Sequence, residues 1–366
     1  MLFSQKNVRR GSVIAAAAGA MFLGAVGMAA SAGASSAPAP NAHAEVTSQF
    51  GLVYTGFDAP NNVTIDLANG RFVITDTAPI GSGAGCIPTK AGVGQFRVTC
   101  QAPLAANGQI RAFRVKAGGA ADVVTNKTAV GMRADGGAGN DRINGGSGND
   151  LLEDSSGSDE LRGNAGLDTL MTSFGSNDGL PDTLFGGAGD DDLQAGPTAD
   201  RLFGGPGKDV LRGGAGGDEL DGGSGTDTVT YLDNAHDGKR VVVTPDNVAD
   251  DGARVLGQTV NEGDNVRSNI EDLVGNSGND VLFGTDSANQ LFGGLGNDVL
   301  IGLKGADKID GGSGNDQLAS NDLFGVPVKD GAIDTLNGGP DNDSCRVPFI
   351  NVEADITISC ESVNQD

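Results

Sequence analysis

The sequence predicts an all-β chain built from short stacked coils, and three observations predict it. A nine-residue pattern, G-G-x-G-x-D-x-U-x with U a large aliphatic residue, recurs through the middle and the end of the chain. Glycine supplies 61 of 366 residues, far above the roughly 7 % of an ordinary chain and without the period of three that collagen needs. Aromatic residues make up only 4 % and there is no Trp, so a conventional globular core is out of reach. The formal net charge is −24, which repels phosphate backbones and argues against a nucleic-acid partner.

Residues 1–44 read as a secretory signal peptide. Lys6, Arg9 and Arg10 precede an uncharged apolar stretch from Val13 to Ala30, and Ala42-His43-Ala44 makes a small-x-small cleavage site. The alternative is a membrane anchor. The stretch is rich in Ala and Gly and only weakly hydrophobic, so no stable membrane insertion is expected after cleavage. Arg9-Arg10 hints at twin-arginine export, and Gly11-Ser12 fits that pattern poorly; a chain that crosses loose and folds outside favours the general secretory route, and both routes stay open. Cleavage after Ala44 removes three positive charges and no negative ones, leaving −27. The expected location is secreted, extracellular or associated with the cell surface.

Residues 45–117 form a small β unit. Val63/Ile65/Leu67, Phe72/Ile74 and Phe96/Val98/Cys100 alternate with mostly polar or small neighbours, and Pro and Gly punctuate the runs. Such a unit would cover the first coil, because stacked repeats need capped ends. The four cysteines, Cys86, Cys100, Cys345 and Cys360, allow three connectivities. In an exported chain the local pairs Cys86–Cys100 and Cys345–Cys360 are favoured over a zinc site, which lacks close C-x-x-C spacing.

The repeats occupy 118–230 and 275–346. Full matches start at Gly136, Gly145, Gly186, Gly204, Gly213, Gly222, Gly293 and Gly311. Degenerate units in the same frame start at Asp154, Gly163, Ala195, Gly275, Gly284, Gly302 and Gly338, and Asp122-Val123-Val124-Thr125 looks like a worn upstream unit. Two stretched units, 172–185 and 320–337, end in Asp-Thr-Leu led by Asp182 and Asp334. The x-U-x tripeptide is a minimal strand with U on one side, which predicts an inner aliphatic column and an outer ladder of aspartates. Between the two blocks, 231–274 is an acidic β insert. It has a plausible strand at Val241–Thr244, followed by Asp246, Asp250, Asp251, Glu262, Asp264, Glu271 and Asp272. An extra calcium site and a solvated acidic loop are both open there. In 347–366, Val352, Ala354, Ile356, Ile358 and Cys360 alternate and suggest a terminal cap strand.

Glycines at positions 1, 2 and 4 let the loop take positive φ and turn carbonyls inward. Calcium takes six to eight hard oxygens, which loop carbonyls and one Asp per turn can supply. One aliphatic residue per nine is too little to offset a backbone ordering cost of about 1–2 kcal/mol per residue. The repeats should therefore be largely unfolded without calcium, with binding and folding one event.

This nonapeptide resembles that of the RTX (hemolysin-type) calcium-binding family over roughly half the chain. The resemblance implies a parallel β-roll, here in two blocks, with two nonapeptides per coil and several Ca2+ ions in the turns between coils. The implied ligands are Asp141, Asp150, Asp159, Asp168, Asp191, Asp200, Asp209, Asp218, Asp227, Asp280, Asp298, Asp307 and Asp316, with loop carbonyls such as those of Gly136, Gly145, Gly204, Gly213 and Gly293. In the family, calcium bridges turns two repeats apart, so Asp141 would neighbour the Asp159 turn and Asp209 the Asp227 turn. Asn289 lacks the charge, and the loops at Asp154 and Ala195 lack glycines of the motif, which makes weak sites there.

Family modules of this kind often trail an enzyme or a pore-former. H-E-x-x-H is absent, because the histidines are His43 and His236. No G-x-S-x-G exists around Ser147, Ser224, Ser277 or Ser313. His236 sits in Asp233-Asn234-Ala235-His236-Asp237-Gly238, which reads as a turn with an ordinary exposed histidine. The expectation is a secreted, non-catalytic calcium-binding module with no catalytic residues. The alternatives are a linked hydrolase or lyase and a calcium-dependent adhesin; the sequence names no protein or glycan partner.

Overall fold

Each nonapeptide makes one turn and lays down one short strand, and successive strands go alternately to different sheets. The computed structural model describes residues 42–47, 51–172, 179–232, 236–253, 262–321, 332–347 and 355–365. Expectations for the leader, with Lys6, Arg9, Arg10 and the Val13–Ala30 stretch, and for Val352 and Ala354, lie outside the described residues. A fifteen-stranded sheet collects every second strand of both repeat blocks. An eleven-stranded sheet takes the other strands of the first block, and a seven-stranded sheet those of the second. All described strands are β and no helix occurs among the described residues.

Parallel pairing in register stacks equivalent positions. In the long sheet Leu152 lies beside Leu170, and Leu170 beside Leu193. In the eleven-stranded sheet Ile143 lies beside Leu161, and Leu161 beside Leu184. The aliphatic residue of every described repeat strand, from Ile143 to Leu336, is fully or almost fully buried. The sequence expectation of an inner aliphatic column therefore holds. Its flanking residues face outward and pair between coils, as Arg133 with Glu153 at 2.9 Å and Arg201 with Glu219 at 2.7 Å. These exposed pairs are each worth about 0–1 kcal/mol.

The ladder of aspartates is not outside, as period two alone had suggested. The sixth-position aspartates are 0–4 % exposed. They sit in the turns and not in the strands, and their side chains fold back onto neighbouring backbone instead of following the strand's alternation.

The N-terminal unit extends both sheets. Strand Ala42–Thr47 pairs antiparallel with Gly51–Gly56, which pairs parallel with Phe113–Gly119 of the long sheet. Asn62–Ala68, Arg71–Asp76 and Phe96–Gln101 make an antiparallel ribbon that joins the eleven-stranded sheet through Val123–Asn126. The largest buried side chains are here, with the rings of Phe72 and Phe113 5.1 Å apart. Ala42 and Ala44 are fully buried in the first strand, so the leader boundary expected at Ala44 falls inside an element of the fold.

Cys86 bonds Cys100 across two antiparallel neighbours, and Cys345 bonds Cys360. Cys345 occupies an aliphatic-column position beside Leu318. The end of the chain supplies strands Ile356–Ile358 and Ser362–Gln365, one to each sheet. There the alternation is real but its phase is reversed: Thr357 lies beside Leu336, while Ile356 and Ile358 are 51 % and 48 % exposed.

The insert is a splice and not a break. Thr228–Thr230 pairs directly with Asp272–Val274, so the long sheet continues across it. Asn265–Val266 closes the eleven-stranded sheet, and Val241–Val243 with Gly252–Ala253 opens the seven-stranded one.

Candidate metal centres in the turns

The turn before each strand is organised by its aspartate. One carboxylate oxygen, Oδ1, accepts the backbone N–H of the equivalent residue one coil earlier. Along the eleven-stranded sheet this ladder runs Asp122, Asp141, Asp159, Asp182, Asp200, Asp218 and Asp264, with every bond at 2.7–2.9 Å. Beside the long sheet it runs Asp150, Asp168, Asp191, Asp209 and Asp227, with bonds of 2.8–2.9 Å, and then passes to Oε2 of Glu271 at 3.0 Å. Further along the same sheet it joins Asn289, Asp307, Asp334 and Asp355. Beside the seven-stranded sheet it runs Asp280, Asp298, Asp316, Asp343 and Glu361. The neighbours expected from the resemblance are found: Asp141 donates to Asp159 at 2.8 Å, and Asp209 to Asp227 at 2.9 Å.

The second oxygen defines the candidate site. Oδ2 of Asp141, Asp150, Asp168, Asp191, Asp209, Asp218, Asp227, Asp298 and Asp316 is buried with no hydrogen-bond partner. It faces the first glycine of its own unit. A β-carbon on Gly204 would lie 2.4 Å from Oδ2 of Asp209 and 2.6 Å from the carbonyl oxygen of Gly222 in the next coil. The same pair of oxygens meets at Gly145 (Asp150 and Gly163) and at Gly293 (Asp298 and Gly311). At Gly213, Oδ2 of Asp218 would lie 2.3 Å from the added carbon, and at Gly136 that of Asp141 2.6 Å. First-position glycine is thus needed for the space its missing side chain leaves. Glycine at the second position is needed for conformation: Gly205 has φ +113°, and a β-carbon there would lie 2.1 Å from the Gly187 carbonyl oxygen.

Carboxylate and carbonyl oxygens facing one point with no donor suit a hard cation, and calcium in particular takes such mixed oxygen shells. An unpaired buried carboxylate is otherwise costly. The electrostatics show that cost. Burial pushes the Asp150 acid up to about 8, with the Asp168 charge adding to it and the Met132 N–H opposing it. Burial likewise pushes Asp209 and Asp298 up to about 7 and Asp141, Asp168 and Asp227 up to about 6.

Not every sequence candidate is alike. Oδ2 of Asp280 accepts the N–H of Asn276 at 2.8 Å, so both its oxygens are engaged by backbone. Asp200 takes the hydroxyl of Thr198 on Oδ1 at 2.5 Å, while its Oδ2 is buried without a partner like the others. The amide of Asn289 donates to the Glu271 carbonyl at 2.6 Å, a neutral rung. Asp159 and Asp307 occupy their expected ladder places.

Sequence reasoning left Asp182 and Asp334 out of the candidate ligands, although each heads a D-x-aliphatic tripeptide, and with them Asp343, the sixth-position acid two residues before Cys345. It also missed the residues that carry the ladder without any glycine pattern: Asp264, Glu271, Asp355 and Glu361. The surviving signal in Asp264-Asn265-Val266 and Glu271-Asp272-Leu273 is an acid two residues before an inward aliphatic; in Glu361-Ser362-Val363 the aliphatic is 43 % exposed.

In the insert, the acids are neither a solvated loop throughout nor an oxygen-only cluster. Asp251 and Asp264 are 1 % exposed. Asp251 accepts N–H groups of Thr244 and Val266 at 2.7 and 3.0 Å. Tyr231 donates its hydroxyl to Oδ2 of Asp264 at 2.9 Å. His236 is not the exposed turn residue expected from sequence: it is 1 % exposed, its Nε2 lies 2.5 Å from Oε1 of Glu262, and its ring stands edge-on to Tyr231. The Asp233–Ala235 part of that turn lies outside the described residues.

No helix among the described residues is long and apolar enough to cross a membrane. The family model of the RTX calcium-binding nonapeptide repeat matches residues 135–170, 144–178, 181–197, 194–229, 268–300 and 296–322. No curated protein sequence matches the chain.

Proposed function

From the match of the RTX calcium-binding nonapeptide repeat to segments within residues 135–229 and 268–322, we propose that the chain is exported and that its β-roll forms only when calcium fills the turns outside the cell. It then serves as a non-catalytic structural or binding module. The observation that carries this reading is the column of buried Oδ2 atoms without a donor, each set against a glycine gap. In this reading the residues that hold calcium are Asp141, Asp150, Asp168, Asp191, Asp209, Asp218, Asp227, Asp298 and Asp316, with glycine carbonyls of the following coil. The ion supplies positive charge between carboxylates that otherwise repel. Oδ1 meanwhile fixes each carboxylate to the coil before it, which aims Oδ2 at the ion.

Export is supported by the N-terminal leader pattern and by two disulfides, which persist in oxidising compartments; the reading implies affinities in the extracellular range of about 10⁻⁴–10⁻³ M. A non-catalytic role is supported by the burial of His236, which at 1 % exposure is shielded from a substrate. Circular dichroism of the purified chain in calcium and in chelator tests the reading. A β spectrum and protease resistance that appear on calcium addition are expected; a fold that persists after exhaustive chelation overturns it.

A further inference from the structure

The unit that begins at Asp154 has an acid where the motif has its first glycine. From sequence this loop looked like a weakened site. The structure shows the reverse arrangement. Asp154 is 3 % exposed, and its Oδ1 accepts the N–H of Ser155 at 2.8 Å. Its Oδ2 has no hydrogen-bond partner, and neither has Oδ2 of Asp141. Both atoms converge on Gly136 of the coil before: a β-carbon there would lie 2.2 Å from Oδ2 of Asp154 and 2.6 Å from that of Asp141. At Gly204 and Gly293 the corresponding place is shared by one carboxylate oxygen and one neutral carbonyl. At Gly136 a second carboxylate stands where those turns have the carbonyl.

One oxygen each from Asp141, Asp154 and Asp159 lies within 4.8 Å of the others, the one such group of three acids among the described residues. Burial and then the charges of Asp159 and Asp141 push the Asp154 acid up to about 9. Calcium affinity rises with the number of charged ligands in a rigid oxygen shell, and this shell gains a charge without losing the stacked backbone around it.

We propose that Asp141, Asp154 and Asp159 together form a three-carboxylate calcium site that is tighter than the repeat sites and fills before them. The inference rests on the calcium reading given above. It assigns to Asp154 the role of a ligand and makes the first block the place where stacking starts.

Calcium titration calorimetry of the full chain, prepared in chelator and exchanged into metal-free buffer, tests it. The wild type should take up one ion ahead of a weaker set. Asp154→Gly restores the first glycine of the motif, so its fold should form in excess calcium, and it should lose that first step, with the leading affinity falling about tenfold or more. Asp154→Asn keeps the size and should lose the same step; if it fails to fold, the glycine variant decides. A wild type that binds all its ions in one class, with Asp154→Gly indistinguishable, overturns this inference and leaves the calcium reading intact. A wild type that binds no calcium overturns both.

Discussion

Alanine at Gly204 and alanine at Gly205 add the same methyl group one residue apart, and they should fail differently. At Gly204 the methyl collides with Oδ2 of Asp209 and the Gly222 carbonyl, so Gly204→Ala should remove one calcium ion while the coils still stack. At Gly205 it must adopt φ +113° against the Gly187 carbonyl. That adds a strain cost of about 1–3 kcal/mol even before any ion is counted. Calcium stoichiometry and thermal unfolding in calcium separate the two; equal losses in both would contradict the distinction. The two oxygens of Asp209 divide in the same way. Asp209→Asn keeps an amide oxygen that can take the Asp191 N–H but removes the charge, so it should lose calcium; Asn289 itself turns its oxygen to the Thr285 N–H and its amide to the Glu271 carbonyl. Asp209→Ala should lose both the bond and calcium. At this scale the repeat made the glycine and aspartate frame readable. Asp264, Glu271 and Glu361 stayed hidden because the ladder asks only for an acid ahead of a short strand, and the motif glycines serve the ion gap and the positive-φ turn, not the ladder.

The insert shows how an element can replace the metal. Tyr231 gives its hydroxyl to Oδ2 of Asp264, the position that in ordinary turns has no donor. Tyr231→Phe should therefore leave a buried carboxylate oxygen unsatisfied and cost about 1–3 kcal/mol in calcium-saturated unfolding. A neutral result would show that the splice does not depend on this bond. Reduction of Cys345–Cys360 should loosen the last coil, at a cost of up to about 3 kcal/mol for a loop of this length. Hydrogen exchange should localise that loss to Ser344–Gln365. Among the elements, the strands with full motifs were legible because periodicity two and the turn glycines agree. The buried state of His236 was not, because its partner Glu262 lies 26 residues away and no local pattern links them. The reversed face of Ile356–Ile358 was hidden for a related reason: alternation fixes two faces, and only pairing with Leu336 chooses which turns inward.

The molecule as a whole concentrates raised carboxylate pKa values, and this fixes the sign of its pH response. Burial holds Asp150 at about 8 and Asp209 at about 7 in the folded chain, against ordinary values near 3.8. The metal-free fold therefore binds more protons than the unfolded chain between those values. Its stability from these groups is present below about pH 4 and lost as pH rises through 6 to 8. Calcium competes for the same oxygens, so the calcium-held form should weaken as pH falls through that interval. In chelator, where no roll forms at neutral pH, circular dichroism should show β structure only as pH falls, whereas in calcium the β signal should weaken over the same fall; parallel curves would refute the assignment. The continuity of the two blocks was the part least visible in sequence, because the long sheet crosses the insert by pairing Thr228–Thr230 with Asp272–Val274, 44 residues further on.

The ladder also has a polarity. The N–H of Asp141 is served by Asp159, that of Asp159 by Asp182, and so on to Asp264, always by a later coil. Trimming the chain from its C-terminal end strips an acceptor from a buried amide, whereas trimming from the other end merely bares a carboxylate that water solvates well. On this ladder tolerance to truncation should be lopsided, with Glu361 and Asp355 closing the end whose loss leaves buried amides unserved.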